Sequence, residues 1–127
     1  GHYIRNRYDE KVGRIIKENG RHYSYGKPYL LIYDNGEPHW YYMDFTPGID
    51  EELMVIETKG DFRDKRSKMK IKLFRDQYPG YRLILITEEW NREHIVKQLE
   101  GYGKFEIMNF KELDELIGKY KIFKIGK

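Results

Sequence analysis

The stretch that decides the fold runs from residue 53 to residue 87 and reads LMVIETKGDFRDKRSKMKIKLFRDQYPGYRLILIT. Its first part, Leu53 to Thr58, is a short run rich in β-branched residues and predicts a strand. A helix is predicted over residues 64–78, where Pro79-Gly80 stops it. The apolar run from Tyr81 to Thr87 then predicts a buried strand. Two strands joined by a helix imply a parallel pair with a right-handed crossover.

The sequence on either side predicts more helices and an antiparallel hairpin. A helix is predicted over residues 8–19, which carry apolar side chains at helical spacing. The hairpin turns at Asn35-Gly36, because both residues tolerate positive φ. The remaining predicted elements are strands near 22–25 and 29–33, a second hairpin arm over 39–45 ended by Thr46-Pro47-Gly48, a helix over 91–100, a strand near 105–108 and a helix over 111–120 capped by Asn109. We expect one α/β domain over residues 1–127, with a central mixed sheet flanked by helices.

Composition narrows the classes of function. The 127 residues include 24 Lys plus Arg and 21 Asp plus Glu, a net charge of only +3, so net charge alone does not indicate a nucleic-acid partner. The chain has no Cys, which excludes disulfides, a thiolate zinc site and a thiol nucleophile. No apolar run approaches the roughly 18 residues that a membrane span needs, and no secretion-signal pattern is visible. We expect a cytoplasmic protein with no membrane partner.

An acid, any residue and a lysine follow one another twice, as Asp9-Glu10-Lys11 and as Glu57-Thr58-Lys59. On a helix, positions i and i+2 point apart, so the first triplet does not form a site by itself. On a strand, they point to the same face roughly 7 Å apart. Glu57 and Lys59 are therefore predicted to converge. The structural alternative is an ion pair on a solvated face of the sheet.

Asp44 is the candidate partner of Glu57, because the hairpin arm that contains it is expected to pair beside the strand Leu53 to Thr58. Two adjacent carboxylates repel, so one of them protonates unless a cation lies between them. Mg²⁺ meets this need, because it takes oxygen ligands and keeps several waters. Lys59 would then position a water, help to deprotonate it or neutralise charge on a phosphate. This set of residues fits metal-dependent phosphodiester hydrolysis.

Basic residues are concentrated directly after this site. Residues 59–75 contain eight basic and two acidic side chains, a local charge of +6. A DNA phosphate backbone would need such a surface next to the site. The alternative is an ordinary solvated helix face. The predicted DNA-binding residues are Arg5, Arg7, Arg14, Arg63, Lys65, Arg66, Lys68 and Lys70. Aromatic side chains at Trp40, Tyr41 and Tyr42 would either stack on bases or serve in sheet packing or a dimer contact, and we favour the second.

These residues resemble the PD-(D/E)XK nuclease superfamily. The resemblance is carried by Asp44-Phe45, by Val55-Ile56-Glu57-Thr58-Lys59-Gly60, and by the basic helix and buried strand that follow. Within the superfamily it is closest to the endonuclease I family of T-odd phages, which are Holliday-junction resolvases. The opening stretch from Arg5 to Val12 is similar to the start of that family. The resemblance covers roughly residues 5–87 and does not extend to residues 88–127.

The resemblance implies a restriction-endonuclease-like fold and a role for each matched residue. Asp44 and Glu57 would bind Mg²⁺, or Mn²⁺ as a substitute, together with the Thr58 carbonyl, and Lys59 would be the catalytic lysine. Asp9 matches the helix acid, where the family has Glu, and a slip of one residue would give Glu10 that role. Met43 stands where the superfamily name has Pro, and the loop over 46–52 is longer than expected.

The resemblance also implies a Holliday-junction resolvase that is encoded by a phage, acts in a bacterial host and takes part in DNA recombination. It would cut branched DNA as an intertwined homodimer, in which the first helix of one subunit completes the site of the other. Two alternatives remain: another nuclease of the superfamily, of the repair, restriction or transposition type, and a DNA-binding module without catalysis.

Overall fold

The structure is a computed structural model that describes residues 7–49 and 52–125, with side chains through residue 120. Ten elements follow one another along the chain, one of them a short 3-10 turn. In chain order they are α1 (Arg7–Glu18), β1 (Tyr23–Ile32), β2 (Pro38–Pro47), β3 (Met54–Thr58), α2 (Lys65–Gln77), β4 (Arg82–Ile86), the 3-10 turn (Glu89–Asn91), α3 (Arg92–Gln98), β5 (Glu106–Met108) and α4 (Phe110–Ile125).

The five strands form one mixed sheet in the order β1-β2-β3-β4-β5. The first three strands pair antiparallel, and β3, β4 and β5 pair parallel. Val55 faces Leu83 across β3 and β4, and α2 connects these two strands. The predicted parallel pair is therefore confirmed, as is the predicted fold class, an α/β fold with a central mixed sheet flanked by helices that is consistent with the restriction-endonuclease-like arrangement.

Each face of the sheet carries its own apolar core. Successive residues of a strand point to opposite faces, so Val55 lies in one core and Ile56 in the other. The first core is covered by α2 and α3 through Ile71, Leu73, Phe74, Ile95 and Leu99. The second is covered by α1 and α4 through Val12, Ile16, Leu113 and Ile117. The result is a three-layer arrangement with the sheet in the middle. In the described part of the chain, none of the helices has the length and apolar character needed to cross a membrane.

The predicted pair of strands at 22–25 and 29–33 is one continuous strand, β1, which changes face at Gly26. Tyr29 belongs to the core under α2, whereas Tyr25 packs against the core under α1. An even spacing, here four residues, should keep both on one face of a regular strand. Gly26 has a φ of +73°, a conformation that glycine adopts without a steric penalty. The same register continues on both sides of it, so β2 changes face opposite Gly26, at Asp44.

The ends of several other elements differ from the prediction. Strand β2 continues through Pro47, two residues beyond the predicted end at Phe45. The helix predicted over 91–100 is divided into the 3-10 turn and α3. Helix α4 begins at Phe110, and the predicted cap at Asn109 is confirmed. The Asn109 side chain accepts from the Glu112 amide at 2.8 Å, and Glu112 accepts from the Asn109 amide at 2.9 Å, which is a reciprocal capping box.

Candidate active site

The predicted acidic residues meet at one end of the sheet. Glu57 and Thr58 are the last residues of β3. Because Phe45 pairs with Ile56, Asp44 lies beside Glu57 on the neighbouring strand. Asp9 comes from α1 and is 2% exposed. Asp44 therefore has two carboxyl neighbours where β3 ends, Glu57 directly and Asp9 through the Thr58 hydroxyl.

Thr58 connects two of these carboxyl groups. Its hydroxyl lies 2.5 Å from Asp9 Oδ1 and 3.0 Å from Asp44 Oδ2, and its amide donates to the same Asp44 oxygen at 2.9 Å. A hydroxyl carries one proton and can donate to one acceptor at a time. The Thr58 hydroxyl can therefore donate to only one of the two carboxyl groups, and the other depends on its remaining donors. Tyr25 adds a donor to Asp9, with 2.5 Å between its hydroxyl and Oδ2.

Glu57 is held by β2. The Asp44 amide donates to Glu57 Oε1 at 3.1 Å, and the buried Tyr41 hydroxyl donates to Glu57 Oε2. The Tyr41 contact depends on the change of face at Asp44, because Tyr41 then reaches the face of the sheet that Val55 and Glu57 share. Glu57 is thus fixed by the strand that also supplies its acidic neighbour.

The shared surroundings perturb the titration of this group. Burial raises the pKa of Glu57 well above its usual range, and the charge of Asp44 raises it further. Burial also raises the pKa of Asp44, while hydrogen bonds with the Glu57 side chain and the Thr58 amide limit that rise. The pKa of the Tyr41 hydroxyl is raised well above its usual range, first by burial and then by the charge of Glu57, which keeps Tyr41 a donor. The site resists carrying its full negative charge unless a cation is present.

Glu57 and Lys59 open onto one cavity of about 140 Å³, so they converge as the strand geometry predicts. The cavity lies between the end of β3 and the first turns of α2. Its lining residues are Tyr41, Glu57, Lys59, Phe62, Ser67, Lys70 and Ile71. The Lys59 ammonium also lies 5.8 Å from the centre of the Phe62 ring. An acid and two lysines therefore face a space that would admit a small anionic group.

The first helix supplies Asp9 to the site and directs Glu10 away from it. Glu10 is exposed, and its carboxylate lies 3.4 Å from Arg14 on the next turn. Lys11 forms an ion pair with Glu88 at 3.2 Å. Of the two helix acids that the sequence left open, the structure brings Asp9 to Asp44 and Thr58. It does so within one chain, and exchange of this helix between subunits stays a prediction.

The predicted DNA-binding residues fall into different environments. Arg5 lies outside the described residues. Arg7, Lys65 and Arg66 are exposed, and Arg63 is paired with Asp61 at 2.7 Å. Lys68 lies 5.7 Å from the centre of the Tyr102 ring, and Lys70 lines the cavity. Lys70 therefore shares a cavity with Glu57, and the exposed residues Lys65 and Arg66 lie about one turn before it along α2.

Two tyrosines and one threonine side chain at the site were not predicted from the sequence. Tyr41 was expected to pack in the sheet or at a dimer contact; it is buried there as sheet packing requires, but its hydroxyl also holds Glu57. Tyr25 and the Thr58 hydroxyl likewise hold Asp9. No local signal identifies these roles, because each depends on a contact between elements that are separate in sequence. Trp40 and Tyr42 are exposed on the opposite side of β2.

A divalent cation would find few protein ligands here. Within residues 7–49 and 52–125, no three side chains of His, Cys, Asp or Glu are grouped so that they could hold a metal ion. Asp44 and Glu57 are two adjacent carboxyl groups, and the Thr58 carbonyl comes next along the chain. Mg²⁺ is typically bound through one or two carboxylates, with waters and substrate phosphates as its other ligands. The residues present fit that mode of binding.

Comparisons with known proteins provide no relative for this site. No family model matches the chain, and no curated protein or solved structure is significantly similar to it. Function must therefore be argued from the carboxylates, the lysines and the surface around them.

Proposed function

We propose that the chain is a Mg²⁺-dependent endonuclease of the PD-(D/E)XK type that cuts branched DNA near four-way junctions, as a Holliday-junction resolvase does. The observation that carries the proposal is the adjacency of Asp44 and Glu57 at the end of β3, with Lys59 on the same cavity as Glu57. Burial opposes the ionisation of both acids. Two adjacent buried carboxylates repel each other unless a cation binds between them, so their adjacency supports a metal site.

The chemistry that Mg²⁺ supplies when bound is charge stabilisation at the scissile phosphate and a lower pKa of an attacking water. Asp44, Glu57 and the Thr58 carbonyl would hold it. Lys59 would position the water or neutralise the charge that develops on the phosphate oxygens. Tyr41 orients the Glu57 carboxylate through a hydrogen bond, and Asp9 completes the acidic site through Thr58.

The basic side chains at the start of α2 lie where a phosphate backbone would approach this site. Phosphate contacts fix position and carry no sequence information by themselves, so recognition would depend on the shape of the DNA. Resolution of a junction needs two cuts in strands related by symmetry. A homodimer with two identical sites provides them, and we propose that assembly.

The decisive experiment is cleavage of a synthetic four-way junction, with a linear duplex and a single strand of the same sequence as controls. We expect cuts near the branch that require Mg²⁺ or Mn²⁺ and disappear with EDTA, and no comparable cleavage of the linear duplex. Glu57→Ala should abolish cleavage while Glu10→Ala, which removes an exposed acid, keeps it. Equal cleavage of all three substrates would favour another nuclease of the same type.

A result with DNA binding but no metal-dependent cleavage would favour a binding module instead. Light scattering coupled to gel filtration tests the assembly separately. A monomer at the concentrations that support paired cuts would contradict the dimer.

A further inference from the structure

Trp90 is the most exposed large apolar side chain in the described residues, at 79%. It lies in the 3-10 turn that follows β4. Strands β3 and β4 are parallel, so this turn is at the same end of the sheet as Glu57 and Thr58. Tryptophan is usually well buried, and a fully presented indole next to a polar site is therefore a feature to explain.

The turn is anchored to the segment that follows Lys59. Asn91 is buried, and its side-chain amide donates to the Gly60 carbonyl at 2.8 Å and to the Thr87 hydroxyl at 3.1 Å. A Cβ added at Gly60 would also come within 3.9 Å of the Tyr8 ring of α1. The indole is thus carried on a support that contacts both the lysine segment and the first helix.

The acids beside Trp90 are engaged by neighbours that hold the turn. Glu88 pairs with Lys11 at 3.2 Å. Glu89 pairs with Arg92 at 3.1 Å and accepts from the Asn109 side chain at 2.7 Å. These contacts fix the turn on both sides of the exposed indole. Because the turn is already fixed, binding of a ligand to Trp90 should cost little backbone conformational entropy.

Charge and shape indicate the class of ligand. The cations near the indole, Lys11 and Arg92, already have carboxylate partners in Glu88 and Glu89, so its vicinity is a poor place for a phosphate. Lys59 and Lys70 line the cavity instead and suit a phosphate better. The flat face of an indole suits a base, because base–aromatic stacking needs no sequence-specific contact. A base inside a continuous duplex is already stacked on its neighbours and is not accessible to it.

We infer that Trp90 is a stacking site for an unpaired nucleobase adjacent to the strand that the carboxylate site would cut. The inference rests on the proposed action on DNA. Stacking on Trp90 would select branched or open DNA, which offers unpaired bases, over a continuous duplex. If the lysines hold the DNA backbone, the next unpaired base would lie toward the turn that Asn91 fixes beside Gly60. The ligand class is an unpaired base of any identity.

The two tryptophans of the chain, Trp40 and Trp90, allow a test by fluorescence with a matched control. Trp40→Phe leaves Trp90 as the only reporter, and Trp90→Phe leaves Trp40, which is also exposed at 57% but lies on the hairpin. Each variant is titrated in EDTA with a thymidine oligonucleotide, a four-way junction and a blunt linear duplex. We expect the oligonucleotide and the junction to quench Trp90 strongly, the duplex to quench it weakly, and Trp40 to respond to none of them.

Binding of a fluorescein-labelled thymidine oligonucleotide gives the second measurement. Trp90→Ala should weaken it about 5- to 150-fold, the usual effect of losing one base stack, while Trp40→Ala leaves it unchanged and Trp90→Phe restores most of it. Equal quenching of both tryptophans, no quenching of Trp90 despite DNA binding, or equal loss of duplex and single-strand affinity would overturn the inference.

These measurements separate this inference from the proposed function. Cleavage of junctions without quenching of Trp90 would refute the stacking site alone. Quenching without any metal-dependent cleavage would refute the nuclease alone. A chain that binds no DNA at all in EDTA or in Ca²⁺ would overturn the stacking site and leave Trp90 as a contact for a protein partner.

Discussion

The two acid-x-lysine triplets of this chain have the same sequence pattern and opposite structural outcomes. In the strand triplet, Glu57 and Lys59 open onto one cavity, and Thr58 points away from it to Asp9 and Asp44. In the helix triplet, Asp9 is buried, Glu10 is exposed beside Arg14, and Lys11 reaches Glu88. The side chains of the helix triplet take three separate directions.

The difference shows that the period of the backbone decides what a motif can do. A repeat of two brings i and i+2 together on a strand, and a repeat of 3.6 separates them on a helix. The helix triplet still contributes one residue, because Asp9 faces the sheet. The candidate site is therefore built from both triplets, with Glu57, Thr58 and Lys59 from the strand triplet and Asp9 from the helix.

The largest expected effect distinguishes the two lysines. Lys59→Ala should lower the rate of junction cleavage by about 10²- to 10⁴-fold, the usual contribution of a positioned acid–base group. Lys11→Ala removes a partly exposed ion pair with Glu88 and a contact with the Phe110 ring, and should change the rate by less than a few-fold. Single-turnover rates with saturating enzyme measure both. A comparable loss in the two variants would remove the distinction between the triplets.

The two helix acids should differ next, in stability. Asp9→Ala removes the carboxylate that lies 2.5 Å from both the Thr58 and Tyr25 hydroxyls and should lower the free energy of unfolding by about 1–3 kcal/mol. Glu10→Ala loses an exposed i,i+4 pair with Arg14, worth about 0.5 kcal/mol or less. Urea unfolding followed by circular dichroism measures both. Equal losses would mean that the contacts of Asp9 contribute nothing beyond those of an exposed acid.

The sequence was sufficient for the features that depend on nearby residues. The run from Tyr81 to Thr87 and the helix before it predicted β4, α2 and their parallel connection, because apolar runs and Pro-Gly signals are local. The pairing of the hairpin with β3 then placed Asp44 next to Glu57. Whether Asp9 or Glu10 faces the sheet depends on how α1 is rotated about its own axis, and no local sequence pattern specifies that rotation.

What the sequence did not predict depends on contacts between distant segments. The change of face at Gly26 affects Tyr41 and Glu57 only through the pairing of β1 with β2. The sequence predicted a helix from residue 91 and no 3-10 turn at Trp90, because the shape of that turn depends on Asn91 reaching Gly60. The sequence therefore predicted the carboxyl groups of the site but not the side chains that hold them.

The strand triplet also makes a prediction about pH. Burial and the charge of Asp44 raise the pKa of Glu57 above its ordinary value of 4.5, so the folded state resists an ionisation that the unfolded state allows. Without metal, this penalty is absent below about pH 4.5 and grows as pH rises to the higher folded-state pKa, by at most about 1.4 kcal/mol per pH unit. Glu57→Gln removes it and should be more stable than the wild type at neutral pH.

Thermal unfolding in EDTA from pH 4 to pH 8 measures that difference. Glu10→Gln is the matched control and should track the wild type at every pH, because Glu10 is exposed. Adding Mg²⁺ should stabilise the wild type and leave Glu57→Gln nearly unchanged, since the cation compensates a charge that the variant lacks. A difference between Glu57→Gln and wild type that stays constant with pH would contradict the raised pKa.

The smallest expected effect compares two lysines of α2 that lie two positions apart. Lys70 lines the cavity with Glu57, whereas Lys72 is paired with Asp76 at 3.0 Å. Both Lys70→Gln and Lys72→Gln change the net charge by the same amount. If Lys70 contacts a phosphate, its loss should reduce the slope of log affinity against log salt by about 1 and weaken junction binding a few-fold. Lys72→Gln should leave the slope unchanged, because that ammonium already has a carboxylate partner. Equal slopes for the two variants would show that overall charge determines DNA affinity. A specific phosphate contact near the carboxylates would then be excluded.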